Sequence, residues 1–179
     1  MAVTRRALAI AVAACLLTGI AAASIYPGSS QALMPTQKEI GFPNLLAFKP
    51  AKKPAAMFLA GYKNGVSAIF EKGKTSNPIE VVITVYVYSN TADAKLAWQH
   101  ACSACKTQPT LKGISLKVAA GKSNGVLTVD EVTTCGNVWL EVFAAGPETA
   151  AKLGADAGGI TAKVYDRAIA HGLSSCTSK

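Results

Sequence analysis

The pattern of apolar and polar positions divides the chain into a leader, an unpatterned arm and a patterned domain. Met1–Arg6 carries Arg5 and Arg6 and no acid, and Ala7–Ala23 is nearly unbroken Ala, Ile, Leu and Val. A short basic start followed by such a run is the make-up of an export leader. Residues 33–54 lose all periodicity, because Pro35, Pro43, Pro50 and Pro54 interrupt them and Lys52-Lys53 lies between the last two. This segment is expected to be a Pro/Lys-rich arm with room for at most one helical turn, at Thr36–Gly41.

Regular patterning begins after residue 55. Ala56–Tyr62 and Val66–Phe70 flank Lys63-Asn64-Gly65, and Asn-Gly suits the tight turn of a hairpin. Gly73–Pro78 reads as a loop. Ile79–Tyr88 is the clearest strand, with Val81, Ile83, Val85 and Val87 on one face and Val82, Thr84, Tyr86 and Tyr88 on the other. Asn90 or Thr91 then caps a helix to about Cys105, whose apolar stripe is Ala94, Ala97, Trp98, Ala101 and Cys105.

Pro109 marks the next loop. Ile114–Ala119 and Val126–Thr133 flank residues 121–125, and Val138–Ala144 is a strand entered through Gly136-Asn137. Pro147 suits the first position of a helix that Gly158-Gly159 interrupts and Gly172 ends after His171. The predicted order is β-β-β-α-β-β-β-α.

That order contains an internal repeat. At an offset of about 57 residues, Ile83, Val85 and Tyr86 fall on Leu140, Val142 and Phe143, and Ala94-Lys95-Leu96 falls on Ala151-Lys152-Leu153. Neither half, about 56–108 or 109–176, can bury its own sheet face. The expected fold is therefore a single α+β domain over 55–179, an antiparallel sheet from two β-β-β-α pseudo-repeats with two helices packed on one face.

The end of the leader follows from peptidase chemistry, which needs small side chains at the −3 and −1 positions. Ser30 and Ala32, after the Pro27-Gly28 breaker, place the cut after Ala32 and the signal peptide over 1–32; a cut after Ala23 with Ala21 at −3 is the alternative. Val12-Ala13-Ala14-Cys15 resembles a lipobox, which would instead anchor the chain through a lipid on Cys15. An uncleaved anchor is disfavoured by the Ala-dominated run, and Arg5-Arg6 only partly matches a twin-arginine signal. Each of these leads to a secreted, periplasmic or envelope location.

Charge changes the picture locally. The full chain has 179 residues and a formal net charge of +8. Leu33–Pro78 holds seven lysines against Glu39 and Glu71, and the remainder is close to neutral. Lys49, Lys52 and Lys53 are thus candidates for contact with an anionic envelope surface, against the plainer reading of a solvated lysine face. Nucleic acid is not expected as a partner, because Arg167 is the only arginine after the leader and no aromatic residues interleave the lysines.

Cys102, Cys105, Cys135 and Cys176 remain once the leader is set aside, an even number that suits disulfides in an exported domain. Were Cys102 and Cys105 to share a helix face, each would reach outward, one to Cys135 and one to Cys176. The same CxxC invites a thiol-disulfide redox reading, but a redox pair normally sits at a helix N-terminus, where the thiolate is stabilised. Lys106 stands where haem attachment needs a histidine, and the spacing of Cys135 and Cys176 does not suit zinc.

No catalytic constellation emerges, and no metal or cofactor is expected. Asp130-Glu131 is a pair of strand neighbours that point to opposite faces, read as hairpin surface charge. The best binding candidates are aromatic: Tyr86, Tyr88, Trp139 and Phe143 fall on one sheet face and could take a flat or apolar ligand or a partner protein. The competing expectation is that the arm, through Phe42, Leu45, Leu46 and Phe48, folds over that face and buries it. The functional expectation is an exported, non-catalytic binding module, with the CxxC redox protein and the lipid-anchored envelope protein as alternatives.

Overall fold

Ile79–Tyr88 forms a strand where its alternation predicts one, and the rest of the sheet assembles around it. The structure is a computed structural model, which describes residues 25–53, 60–111, 114–123 and 125–173. In chain order the elements are α1 (Ser30–Leu33), α2 (Gln37–Ile40), β1 (Asn44–Pro50), β2 (Tyr62–Lys72), β3 (Ile79–Tyr88), α3 (Thr91–His100), β4 (Lys106–Leu111), β5 (Ile114–Ser123), β6 (Val126–Cys135), β7 (Val138–Gly146) and α4 (Ala150–Ala170). The seven strands form one antiparallel sheet in the order β1-β2-β3-β7-β6-β5-β4, an α+β fold. β3 and β7 pair at its middle with Thr84 opposite Glu141, so both halves of the chain complete one sheet.

The helices do not share a face. Val81, Ile83, Val85, Leu140, Val142 and Ala144 meet Leu153, Ala157, Ile160, Val164 and Ala168 of α4 in the main core. The opposite face carries α3, whose Ala94 and Ala97 pack with Tyr88, Val132 and Trp139. The expectation of two helices on one side is corrected here, and the reason is length. The 21 residues of α4 span about 30 Å, enough to cover its face together with the N-terminal segment and leave no room for α3.

That N-terminal segment is part of the fold and not an arm. Tyr26, Leu33, Met34 and Phe42 are buried in the α4-side core. The backbone of Tyr26 is clasped by Asn137, whose Oδ1 accepts the Tyr26 N–H at 2.6 Å and whose Nδ2 donates to the Tyr26 carbonyl at 3.1 Å. A domain edge at residue 32 or 54 would cut through this packing. The predicted single turn does form: Thr36 caps α2 in a reciprocal capping box with Glu39, and Gly41 ends it at φ 71°. Backbone and hydroxyl hydrogen bonds from Thr36, with Arg167 beside them, hold the Glu39 carboxyl down at about 2. Arg167 donates to Glu39 at 2.6 Å and ties α2 to α4.

Several local expectations are corrected. β1 occupies the supposed arm, between Pro43 and a terminal Pro50. Asn64-Gly65 is no hairpin turn; β2 runs straight through it with a bulge between Tyr62 and Asn64. The preceding residues 54–59 lie outside the described residues. β4 runs through Pro109, which an outermost strand tolerates. α4 is capped by Thr149, not started at Pro147, and continues unbroken over Gly158-Gly159, because tertiary packing outweighs a glycine penalty of about 1 kcal/mol per residue.

Residues 1–24, which hold most of the expected leader and Cys15, lie outside the described residues, as does Cys176. Among the described residues no helix is long and apolar enough to cross a membrane.

Candidate functional site

Strand alternation puts Tyr86 of β3 and Trp139, Glu141 and Phe143 of β7 on the α3 side of the sheet, and the register sets Tyr86 opposite Trp139 and Asp130 opposite Phe143. The rings of Tyr86 and Trp139 lie with centroids 5.0 Å apart. Tyr62 of β2 meets Tyr86 and Tyr88 edge-on, at 5.7 Å and 6.3 Å. Three of the four predicted ligand residues, Tyr86, Tyr88 and Trp139, thus form one aromatic cluster, with Phe143 farther along the same face.

The glycine before the cluster has a packing reason. A Cβ on Gly65 would lie 2.4 Å from Cδ1 of Tyr86, so only glycine lets that ring lie flat across β2. The Tyr86 hydroxyl then donates to the carbonyl of Lys52 at 2.8 Å.

α3 covers one end of this face. Tyr88 and Trp139 are buried beneath it, and Trp98 donates from Nε1 to the carbonyl of Val132 at 3.1 Å. Lys117 lies 4.9 Å over the Trp98 ring and donates to the Gln99 and Ala101 carbonyls at the C-terminal end of α3. Beyond the helix, Ile69, Val82, Thr84, Glu141 and Phe143 are only half-buried. The arm does not close over them. Its Phe42 joins the opposite core, and Leu45, Leu46 and Phe48 stay exposed.

Two carboxylates stand on this floor. Glu141 lies between Thr84 and Val132, and burial, reinforced by the nearby charge of Asp130, pushes its carboxyl up to about 7. Burial also raises Asp130, whose Oδ1 is buried without a hydrogen-bond partner among the described residues. Among the described residues neither carboxylate is paired with a cation. The hydroxyl of Tyr88 and Nε1 of Trp139 are likewise buried without hydrogen-bond partners among the described residues. Burial and the Glu141 charge push Tyr86 up to about 12, so it remains a neutral donor.

Asp130 and Glu131 do point to opposite faces, but Glu131 is not surface charge. It is buried against α4, accepts a hydrogen bond from Thr161 at 2.5 Å, and is raised by burial. Beside it Thr133 and Tyr165 share a 2.9 Å hydroxyl contact.

The cysteine pairing differs from the outward arrangement expected. Cys102 and Cys105 are bonded to each other, with Cα atoms 5.3 Å apart. α3 ends at His100, and Cys102 takes φ 48° in a turn closed by the Cys105 N–H donating to the Cys102 carbonyl at 3.0 Å. The shared helix face on which the outward pairing rested therefore does not exist. Cys135 is also disulfide-bonded. Ligand atoms of Cys102, Cys105 and Asp130 lie within 4.8 Å of one another, yet the two sulfurs offer thiolates to a metal only after reduction.

Lys49, Lys52 and Lys53 are exposed along and just after β1, apart from the aromatic cluster except through the Lys52 carbonyl. Sequence reasoning missed Glu141, Asp130 and Tyr62 as members of the site. The legible signal was Glu141, a lone charge between Leu140 and Val142 in an apolar strand and in phase with Trp139 and Phe143.

No protein-family model matches the chain, and no curated protein matches it. Among solved structures it is similar to the extracellular domain of PknH from Mycobacterium tuberculosis, at 16% identity over 76% of this chain and 94% of that chain, with a TM-score of 0.43.

Proposed function

We propose that the protein is an exported, non-catalytic module that binds a flat or apolar ligand carrying a positively charged or hydrogen-bond-donating group. The observation that carries this reading is the Glu141 carboxylate, without a cation partner among the described residues, on a half-covered sheet face flanked by Tyr86 and Phe143. Aromatic surface supplies contact area, and a desolvated acid rewards a ligand that brings the missing donor. Asp130 adds charge of the same sign.

Export is supported by the leader pattern and by the disulfides at Cys102–Cys105 and at Cys135, since such bonds persist in oxidising compartments. Cleavage after Ala23 suits the fold better than cleavage after Ala32, because it keeps Tyr26 and α1 with the core they fill.

The redox reading is weakened by position. The CxxC bond follows the C-terminal end of α3 and lies beside Asp130, two features that disfavour a thiolate. His100 and His171 sit exposed at helix ends.

The test is a screen of planar aromatic amines against their neutral isosteres, followed by amide and side-chain chemical shifts. Binding that shifts Tyr86, Glu141 and Phe143 together, and that weakens in Phe143→Ala and Glu141→Gln, supports the reading. Shifts scattered away from this face, or equal affinity in both variants, would sink it.

A further inference from the structure

β1 is the outermost strand at one edge of the sheet, so one row of its backbone N–H and C=O groups faces away from β2. Proteins usually guard such an edge with charge, proline or a covering segment. β1 has a bulge between Leu45 and Ala47, yet it presents Leu45, Leu46 and Phe48 at 42%, 55% and 42% exposure. Its one charged residue is Lys49, and Lys52 and Lys53 follow directly. All three lysines are exposed, and among the described residues none is in an ion pair. Glu39, the acid that precedes β1 in the chain, is already held by Arg167. The edge is therefore apolar along its length and positive at its C-terminal end.

We infer that this edge docks an extended acidic segment of a partner protein, which adds to the sheet as a further strand beside β1. Main-chain hydrogen bonds supply the pairing, apolar side chains of the segment rest on Leu45, Leu46 and Phe48, and its carboxylates face Lys49, Lys52 and Lys53. A second copy of this chain is the poorer occupant, because β1 has no acid to offer those lysines. The surface meets the Tyr86 face at the Lys52 carbonyl, but the two tests read different residues, 44–53 here and Glu141 and Phe143 there, so either can fail without the other.

The probe is a synthetic peptide of about ten residues, long enough for one strand, with aspartates at one end followed by alternating valine and threonine. It is titrated into the isotope-labelled full chain and followed by amide shifts. Expected are shifts concentrated in residues 44–53 and an affinity about tenfold or more above that of the peptide with lysines in place of aspartates. The paired substitution Leu46→Lys/Phe48→Lys should abolish binding, and Lys49→Glu/Lys52→Glu/Lys53→Glu should reverse the peptide preference. A third peptide with a central proline tests strand pairing without altering the protein, and it should not bind. Equal affinity for acidic and basic peptides, undiminished binding of the proline peptide, shifts that leave residues 44–53 untouched, or self-association through residues 44–50 would each overturn the inference.

Discussion

The backbone of Tyr26 and the side chain of Asn137 hold each other in a buried, reciprocal pair of hydrogen bonds, although they lie 111 residues apart. Asn137 also donates to the carbonyl of Tyr88 at 2.7 Å, so one side chain fastens the N-terminal segment and the end of β3 to the β6–β7 turn. Asn137→Ala leaves three backbone groups without these partners and is expected to cost about 3 kcal/mol, read as a lowered urea midpoint with unchanged slope.

The same clasp bears on processing. N-terminal sequencing of exported protein is expected to find a start at Ser24. A chain beginning at Leu33, lacking the buried Tyr26, should be less stable by roughly 3–5 kcal/mol, the scale for losing a core aromatic. Recovery of a stable native chain beginning at Leu33 would count against the earlier cut.

Glu141 ties stability to pH. Its carboxyl rises from 4.5 to about 7 in the folded protein, and Asp130 and Glu131 move in the same direction. At these groups the folded state binds protons more tightly than the unfolded chain, so their contribution to stability is full below about pH 4.5 and declines as pH climbs toward 7. Glu141→Gln should remove up to about 3 kcal/mol of that decline. Glu39 acts oppositely: its depressed carboxyl contributes above its ordinary range and loses that contribution as pH falls toward 2. Urea midpoints of native and Glu141→Gln protein across this range check both signs.

The Cys102–Cys105 bond is expected to be structural. Native protein should show no reactive thiol at Cys102, Cys105 or Cys135 and no activity in an insulin-reduction assay. Cys102→Ser/Cys105→Ser should lower stability by roughly 2 kcal/mol, the chain-entropy scale for so short a loop. Rapid insulin reduction would restore the redox reading.

Gly65→Ala tests the aromatic cluster from beneath. The added methyl meets the Tyr86 ring, so the ring must shift and its hydroxyl bond to Lys52 must break. A loss of about 1–3 kcal/mol is expected, with altered fluorescence from the adjoining Trp139.

What could be read from sequence was what local pattern alone decides. The β-branched alternation of Ile79–Tyr88, the apolar run from Val138, the Asn90 cap and the Thr36–Gly41 turn all appear where expected. Most of the misreadings depended on contacts distant in sequence, whereas the Cys102–Cys105 pairing turned on a local event, the end of α3 at His100. Prolines hid β1 and β4, which a sheet edge permits. Asn64-Gly65 imitates a turn but serves the Tyr86 ring, and Gly158-Gly159 stays helical because α4 is pressed against the sheet. The aromatic members on β3 and β7 were legible from parity, whereas the place of Tyr62 depends on the β2–β3 register and the environment of Glu141 on which face α3 occupies.

With α3 and α4 on opposite sides, the sheet acts as a partition with unequal rooms. One side is filled by α4 and the N-terminal segment, and a substitution there is felt by the whole molecule. The other side, past the end of α3, can change its chemistry at Glu141 or Phe143 while the wall behind it stands. Neighbouring positions along β7 thus answer to different demands, one set to holding the chain together and the next to what the chain meets outside itself.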